Sequence, residues 1–132
     1  MAGCAGQEAV RDSGYSGAET ELKDRLEQNP ADAATLKELA VYYDQSGQYA
    51  SAVQYYDEYL KLVPGDQQVL EMKMVASFNA GRAQMVAGDY AQGAAGLQAT
   101  IDIANQLIAV NPANANAYKY SGYAARDLGQ TD

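Results

Sequence analysis

The sequence predicts an all-α fold: a solenoid of antiparallel helix hairpins, about six helices in all, with half-repeats at both ends. Three observations carry this. Asn29-Pro30 recurs as Asn111-Pro112, with Val63-Pro64 between them, and self-similarity of this kind marks a repeat architecture. Gly47-Gln48 follows Pro30 at the offsets at which Gly129-Gln130 follows Pro112, and Lys37 and Lys119 also coincide. Between the prolines the apolar residues recur at helical spacing: Leu36, Leu39, Ala40 and Tyr43 stand at i, i+3, i+4 and i+7, one face of a helix.

Taken in chain order, residues 1–14 hold several Gly and Ser and predict no firm element; Gly6 and Ala9 are at most the remnant of a helix. Tyr15, Ala18, Leu22, Leu26 and Pro30 have the spacing of Tyr49, Ala52, Tyr56, Leu60 and Pro64. Residues 15–30 therefore predict the second helix of a hairpin with little or no first helix before it. Residues 33–66 predict a whole hairpin. The Leu36–Tyr43 stripe makes its first helix, Gly47 stops it as a C-cap residue does, and Tyr49, Ala52, Val53, Tyr56 and Leu60 make the second.

On these residues the chain resembles the tetratricopeptide-repeat family, whose unit is 34 residues long. Leu36 takes the family's Trp position, Leu39 its Leu, Ala40 its small residue, Tyr43 its Tyr, Ala52 its Ala, Tyr56 its Phe and Pro64 its Pro. Tyr59 departs from the second Ala, so a large ring there should push helices apart or face an unusual partner. Packing gives the pattern its reason. Small residues at 40 and 52 let the two helices approach closely, larger ones fill the gaps, and a single hairpin must stack to bury its apolar face.

Residues 67–112 predict a lengthened unit. Pro64 to Pro112 is 48 residues, and the excess over 34 divides so that each helix gains about seven residues, or two turns. Leu70, Met74 and Phe78 on one helix and Ile101, Leu107 and Ile108 on the other supply apolar surface for the extension, while Gly81 and Gly93 take the two small positions. Two readings stand: a local elongation without function, or a ridge that contacts a partner. Residues 113–132 predict a lone first helix, with Tyr118 at the Trp position, Gly122 at the small position and Ala125 at the Tyr position. A closing cap helix is not expected.

A lone second helix at one end and a lone first helix at the other are complementary. Docking them tail to head in two copies would rebuild a whole unit through a heterologous contact, hence a filament or ring. The expected interface is Tyr15, Ala18, Leu22 and Leu26 against Tyr118, Gly122 and Ala125. Residues 1–66 hold 12 acids against 5 bases, and residues 67–132 hold 5 against 4, so unlike ends attract. The other reading is a stretch of a longer array, with frayed ends.

The family resemblance implies a concave face lined by first helices, here including Lys37, Val41, Arg82, Lys119, Tyr123 and Arg126. These cations read either as solvated surface charge or as a site for an acidic peptide, which makes the chain a monomeric binding scaffold. The family's paired Asn positions are not filled; Val41 stands at one of them. Of the 11 Tyr, several cluster at residues 42–59 and 118–123; Tyr43, Tyr49 and Tyr56 fall on core positions, whereas Tyr42, Tyr55 and Tyr120 should be partly exposed, as interface Tyr or as filler.

Chemistry is not expected. No His is present, only one Cys, and no glycine-rich phosphate loop or nucleophile elbow. The reading is therefore a non-enzyme with no catalytic residue, metal or cofactor. A net charge of −8 argues against nucleic acid as a partner. No apolar run is long enough to span a bilayer. Met1-Ala2-Gly3-Cys4 resembles the end of a bacterial lipobox. That resemblance implies lipid attachment at Cys4 and favours an extracellular or periplasmic place over a cytoplasmic one; an ordinary small-residue start is the alternative.

Overall fold

A computed structural model of the chain describes residues 15–129. Among the described residues it is all-helical: α1 (Tyr15–Gln28), α2 (Ala33–Gln45), α3 (Tyr49–Leu62), α4 (Gln67–Val86), α5 (Tyr90–Val110) and α6 (Ala115–Asp127). Each helix packs chiefly on its neighbours in sequence, and α4 also touches α6. That nearest-neighbour pattern is the signature of a solenoid.

Local chemistry sets the helix ends. Asp32, Asp66, Asp89 and Asn114 are N-caps, each accepting a hydrogen bond from the backbone N–H three residues on. Such caps satisfy a donor that the first turn leaves without a partner. Gly47 and Gly88 follow α2 and α4 with φ of 80° and 92°, a left-handed conformation that only Gly adopts without strain. Pro30, Pro64 and Pro112 stand in the linkers that follow α1, α3 and α5.

The apolar stripes become the core. Leu36, Leu39, Ala40, Tyr43, Ala52 and Tyr56 are all buried, together with Leu22 of α1 and Val69 and Ala76 of α4. Tyr59 is buried as well, and its hydroxyl donates to Asp66 Oδ2 at 2.6 Å. The ring that stands in place of a small residue thus meets the N-cap carboxylate of the next helix. Tyr49 differs from the sequence expectation. It is the first residue of α3 and is only half-buried.

The second hairpin is long. α4 and α5 have 20 and 21 residues against 13 and 14 in α2 and α3. Each gains seven residues, about 10 Å of helix. Met74, Ile103, Ala104 and Leu107 fill the added length, with Leu70, Val75 and Ile108 around them. Phe78 and Ile101 do not join that cluster. They lie past the added turns and pack with Leu97 and Ala124, so their partner is α6.

Within the long hairpin the backbones nearly touch. A Cβ placed on Gly81 would lie 3.0 Å from Gly93 O and 3.0 Å from Leu97 N, and one on Gly96 would lie 3.0 Å from Gly81 Cα. Thr100 in the same helix turns its hydroxyl back to Gly96 O at 2.9 Å, which satisfies it without a partner across the crossing.

Candidate functional site

α1 lies on α2 by a short apolar seam and a polar clasp. Leu22 is buried and Leu26 half-buried; the rest of the helix is largely in solvent. Glu19 accepts hydrogen bonds from the hydroxyls of Tyr43 and Tyr42 on α2 and pairs with Lys23 at 3.0 Å. Lys23 stands 5.8 Å above the Tyr43 ring, which itself stacks on Tyr55 at 5.5 Å. Arg25 reaches Glu38 at 2.8 Å. The Tyr43 hydroxyl, then Lys23, holds the Glu19 carboxyl below its ordinary range. Burial, then the Glu19 bond, pushes the Tyr43 phenol up.

One turn before Leu22, α1 is open. Ala18 is exposed, although its counterpart Ala52 on α3 is fully buried beneath α2. α6 shows the converse. Ala117 and Ala124 face inward and are buried, whereas Tyr118 is 52% exposed where its counterpart Leu36 is 4%. Tyr118 therefore does not reach the core that its position implies. No described helix covers it, and its hydroxyl turns back to Pro112 O at 3.0 Å. Gly122 is exposed, and a Cβ there would meet nothing within 4 Å; its counterpart Ala40 is fully buried. Ala125 is half-buried. The side chain of Tyr15, the first residue of α1, and Cys4 both lie outside the described residues.

Charge differs between the two faces. α1 carries Glu19, Glu21, Asp24 and Glu27 against Lys23 and Arg25, an excess of two acids. α6 carries Lys119 and Arg126 against Asp127, an excess of one base. Asp127 in turn pairs with Arg82 at 3.3 Å.

The six groove residues divide. Arg82, Lys119, Tyr123 and Arg126 come together around an aromatic cluster. Phe78 meets Tyr120 at 5.3 Å and Tyr123 at 5.9 Å. Arg82 lies 5.5 Å over Phe78, Lys119 5.7 Å over Tyr120 and Arg126 5.3 Å over Tyr123. Val41 packs instead on the first core cluster, and Lys37, half-buried on α2, stands in none of the three cation–ring contacts of α4 and α6. Tyr42, Tyr55 and Tyr120 are all half-buried.

Some features were not read from the sequence. A cavity of about 730 Å³ opens between α3 and the added turns of α4 and α5, lined by Tyr55, Leu60, Pro64, Leu70, Lys73 and Gln106. Lys73, mostly buried, pairs there with Asp57 at 2.6 Å. The signal was present: Leu70, Lys73 and Gln106 all fall in the extra two turns. Val86 and Tyr90, at the α4–α5 turn, are strongly exposed. Among the described residues no group of three or more His, Cys, Asp and Glu could hold a metal, and no helix is long and apolar enough to cross a membrane.

A family model described as tetratricopeptide repeat matches residues 33–77, that is α2, α3 and the first half of α4. No curated protein matches the chain. Among solved structures 24 chains match. One of them, MamA, shares 16% identity over 98% of this chain and 88% of its own, with a TM-score of 0.38.

Proposed function

We propose that this tetratricopeptide-repeat chain is a non-catalytic interaction protein that assembles with copies of itself, α6 of one against α1 of the next. The observation that carries the reading is a pair of matched openings. Ala18 and Gly122 stand in solvent at the two positions whose counterparts, Ala52 and Ala40, are fully buried against each other's helices. Two small residues facing one another allow the close helix approach that Gly81 and Gly93 already make inside the chain. The excess acid on α1 and excess base on α6 favour this pairing over like with like. The contact is heterologous, so it builds a filament or closes a ring.

Light scattering and negative-stain microscopy of the 132-residue chain test the reading. The wild type should give assemblies that grow with concentration. Ala18→Arg should remain monomeric while its far-ultraviolet circular dichroism stays helical, because residue 18 is exposed in the single chain. A wild type that stays monomeric at high micromolar concentration would sink the reading.

A second reading has one observation in its favour. Three cations sit over three clustered rings on α4 and α6, a surface suited to an acidic peptide segment. On that reading the chain is a monomeric scaffold and Ala18→Arg changes nothing.

A further inference from the structure

The two hairpins differ in what stands beside their small residues. Gly81 and Gly93 take the places of Ala40 and Ala52, each 41 residues further along the chain. The same step carries Leu36 to Ser77, Leu39 to Ala80, Tyr43 to Gln84 and Tyr55 to Gly96. In the first hairpin these side chains are large. Leu36, Leu39 and Tyr43 are buried, and the Tyr43 ring stacks on that of Tyr55. In the second hairpin they are small or polar, and a hollow of about 260 Å³ opens there. Ser77, Ala80 and Gln84 line it from α4 at i, i+3 and i+7, one face of that helix. The start of α3 and the start of α5 form its sides, chiefly with alanines. Ser77 is 2% exposed. Its hydroxyl is the one buried side-chain polar atom without a hydrogen-bond partner among the described residues, and a hydroxyl so placed costs free energy that a bonded one does not.

We propose that this hollow binds a small uncharged ring that carries a hydroxyl, a phenol in chemical class. Size and lining both argue for it. An apolar cavity of about 150 Å³ already admits benzene. None of the nine residues around the hollow is charged, and six of them are Ala, Val or Gly. A charged ligand would lose its water there and gain no ion pair. The first hairpin shows what suits the space. The matching position holds the phenol ring of Tyr43, whose hydroxyl donates to Glu19 on α1. The counterpart of Glu19, 34 residues on, is Val53, so no carboxylate meets the ligand's hydroxyl from α3. Ser77 is the group left to take it, and a serine hydroxyl both donates and accepts. The site does not depend on the tail-to-head reading above.

Calorimetric titrations of the full chain with phenol, toluene and benzoate test the site. Phenol should bind at one site per chain, and benzoate should not bind. Ser77→Ala should weaken phenol about three- to tenfold, the range of one net hydrogen bond, and leave toluene unchanged. Without ligand this variant should melt no lower than the wild type, because the hydroxyl it removes has no partner in the chain. Ala80→Leu puts back the side chain that Leu39 has in the first hairpin, and it should abolish binding of both phenol and toluene. Should that variant fail to fold, Ala95→Leu, at the exposed rim, obstructs the same hollow. No saturable uptake of phenol, or undiminished binding in the folded leucine variant, would overturn the site. Equal phenol affinity in Ser77→Ala, an equal loss of toluene, or benzoate bound as tightly as phenol would do the same.

Discussion

Gly81→Ala puts one methyl group where two backbones already meet. The added Cβ would lie 3.0 Å from Gly93 O, 3.0 Å from Leu97 N and 3.1 Å from Leu97 Cγ. Two of these three atoms are backbone of α5, which cannot turn away as a side chain can, so α4 and α5 must separate. Overpacking of this kind costs about 1–3 kcal/mol. Against it stands the helix propensity of Ala over Gly, about 0.8–1 kcal/mol in favour of the variant. The net expectation is a loss of about 0–2 kcal/mol, or up to about 8 °C in midpoint for a domain of this size. Gly17→Ala is the control: it lies in α1, and a Cβ there meets nothing within 4 Å. It should gain a few tenths of a kcal/mol to about 1. Urea and thermal melts followed by circular dichroism read both. They belong at one fixed, low protein concentration, because self-association shifts the midpoint. If Gly81→Ala is instead more stable than the wild type by the roughly 1 kcal/mol that helix propensity alone would give, the close crossing of the long hairpin is wrong.

Two further outcomes follow from the polar contacts. Asp66→Ala removes both the α4 cap and the acceptor of the buried Tyr59 hydroxyl, so it should cost about 2 kcal/mol in a urea melt; Asp66→Asn, which still caps and accepts, should cost clearly less. Acid should weaken the fold in a definite window. Glu19 is lowered chiefly by the Tyr43 hydroxyl, Asp66 by the Tyr59 hydroxyl and Asp32 by Thr35. Their contribution is complete above the ordinary carboxylate values of 4.5 and 3.8 and is lost as the pH falls through the lowered native ones. Melts between pH 7 and pH 2 read it: a midpoint flat down to about pH 5 and falling below is expected, and Glu19→Gln should flatten part of that fall.

The helices were legible because their signals are local. The 3.6-residue periodicity of Leu36, Leu39, Ala40 and Tyr43, the glycines that end first helices, and the prolines between units all act within one or two turns. The two added turns of α4 and α5 could be counted from the proline spacing before any coordinates. What could not be read was which distant side chains share a space. Tyr59 looked like a misfit until α4 brought Asp66 to its hydroxyl. Phe78 was assigned to the extension and belongs to α6. The six groove residues looked like one surface, but Val41 packs on the first core cluster and only Arg82, Lys119, Tyr123 and Arg126 share the aromatic cluster of α4 and α6.

By itself the sequence determined the six helices of the described residues and one hairpin two turns longer than the other, because periodicity, caps and breakers fix helices one at a time. Only the tertiary structure decided the rest. It set how closely α4 and α5 cross, opened the cavity beside their added turns, and closed the clasp of Glu19, Lys23 and Tyr43 that holds α1. Those depend on the angle and depth at which one helix seats on the next, and that is set by the summed packing of side chains far apart in sequence.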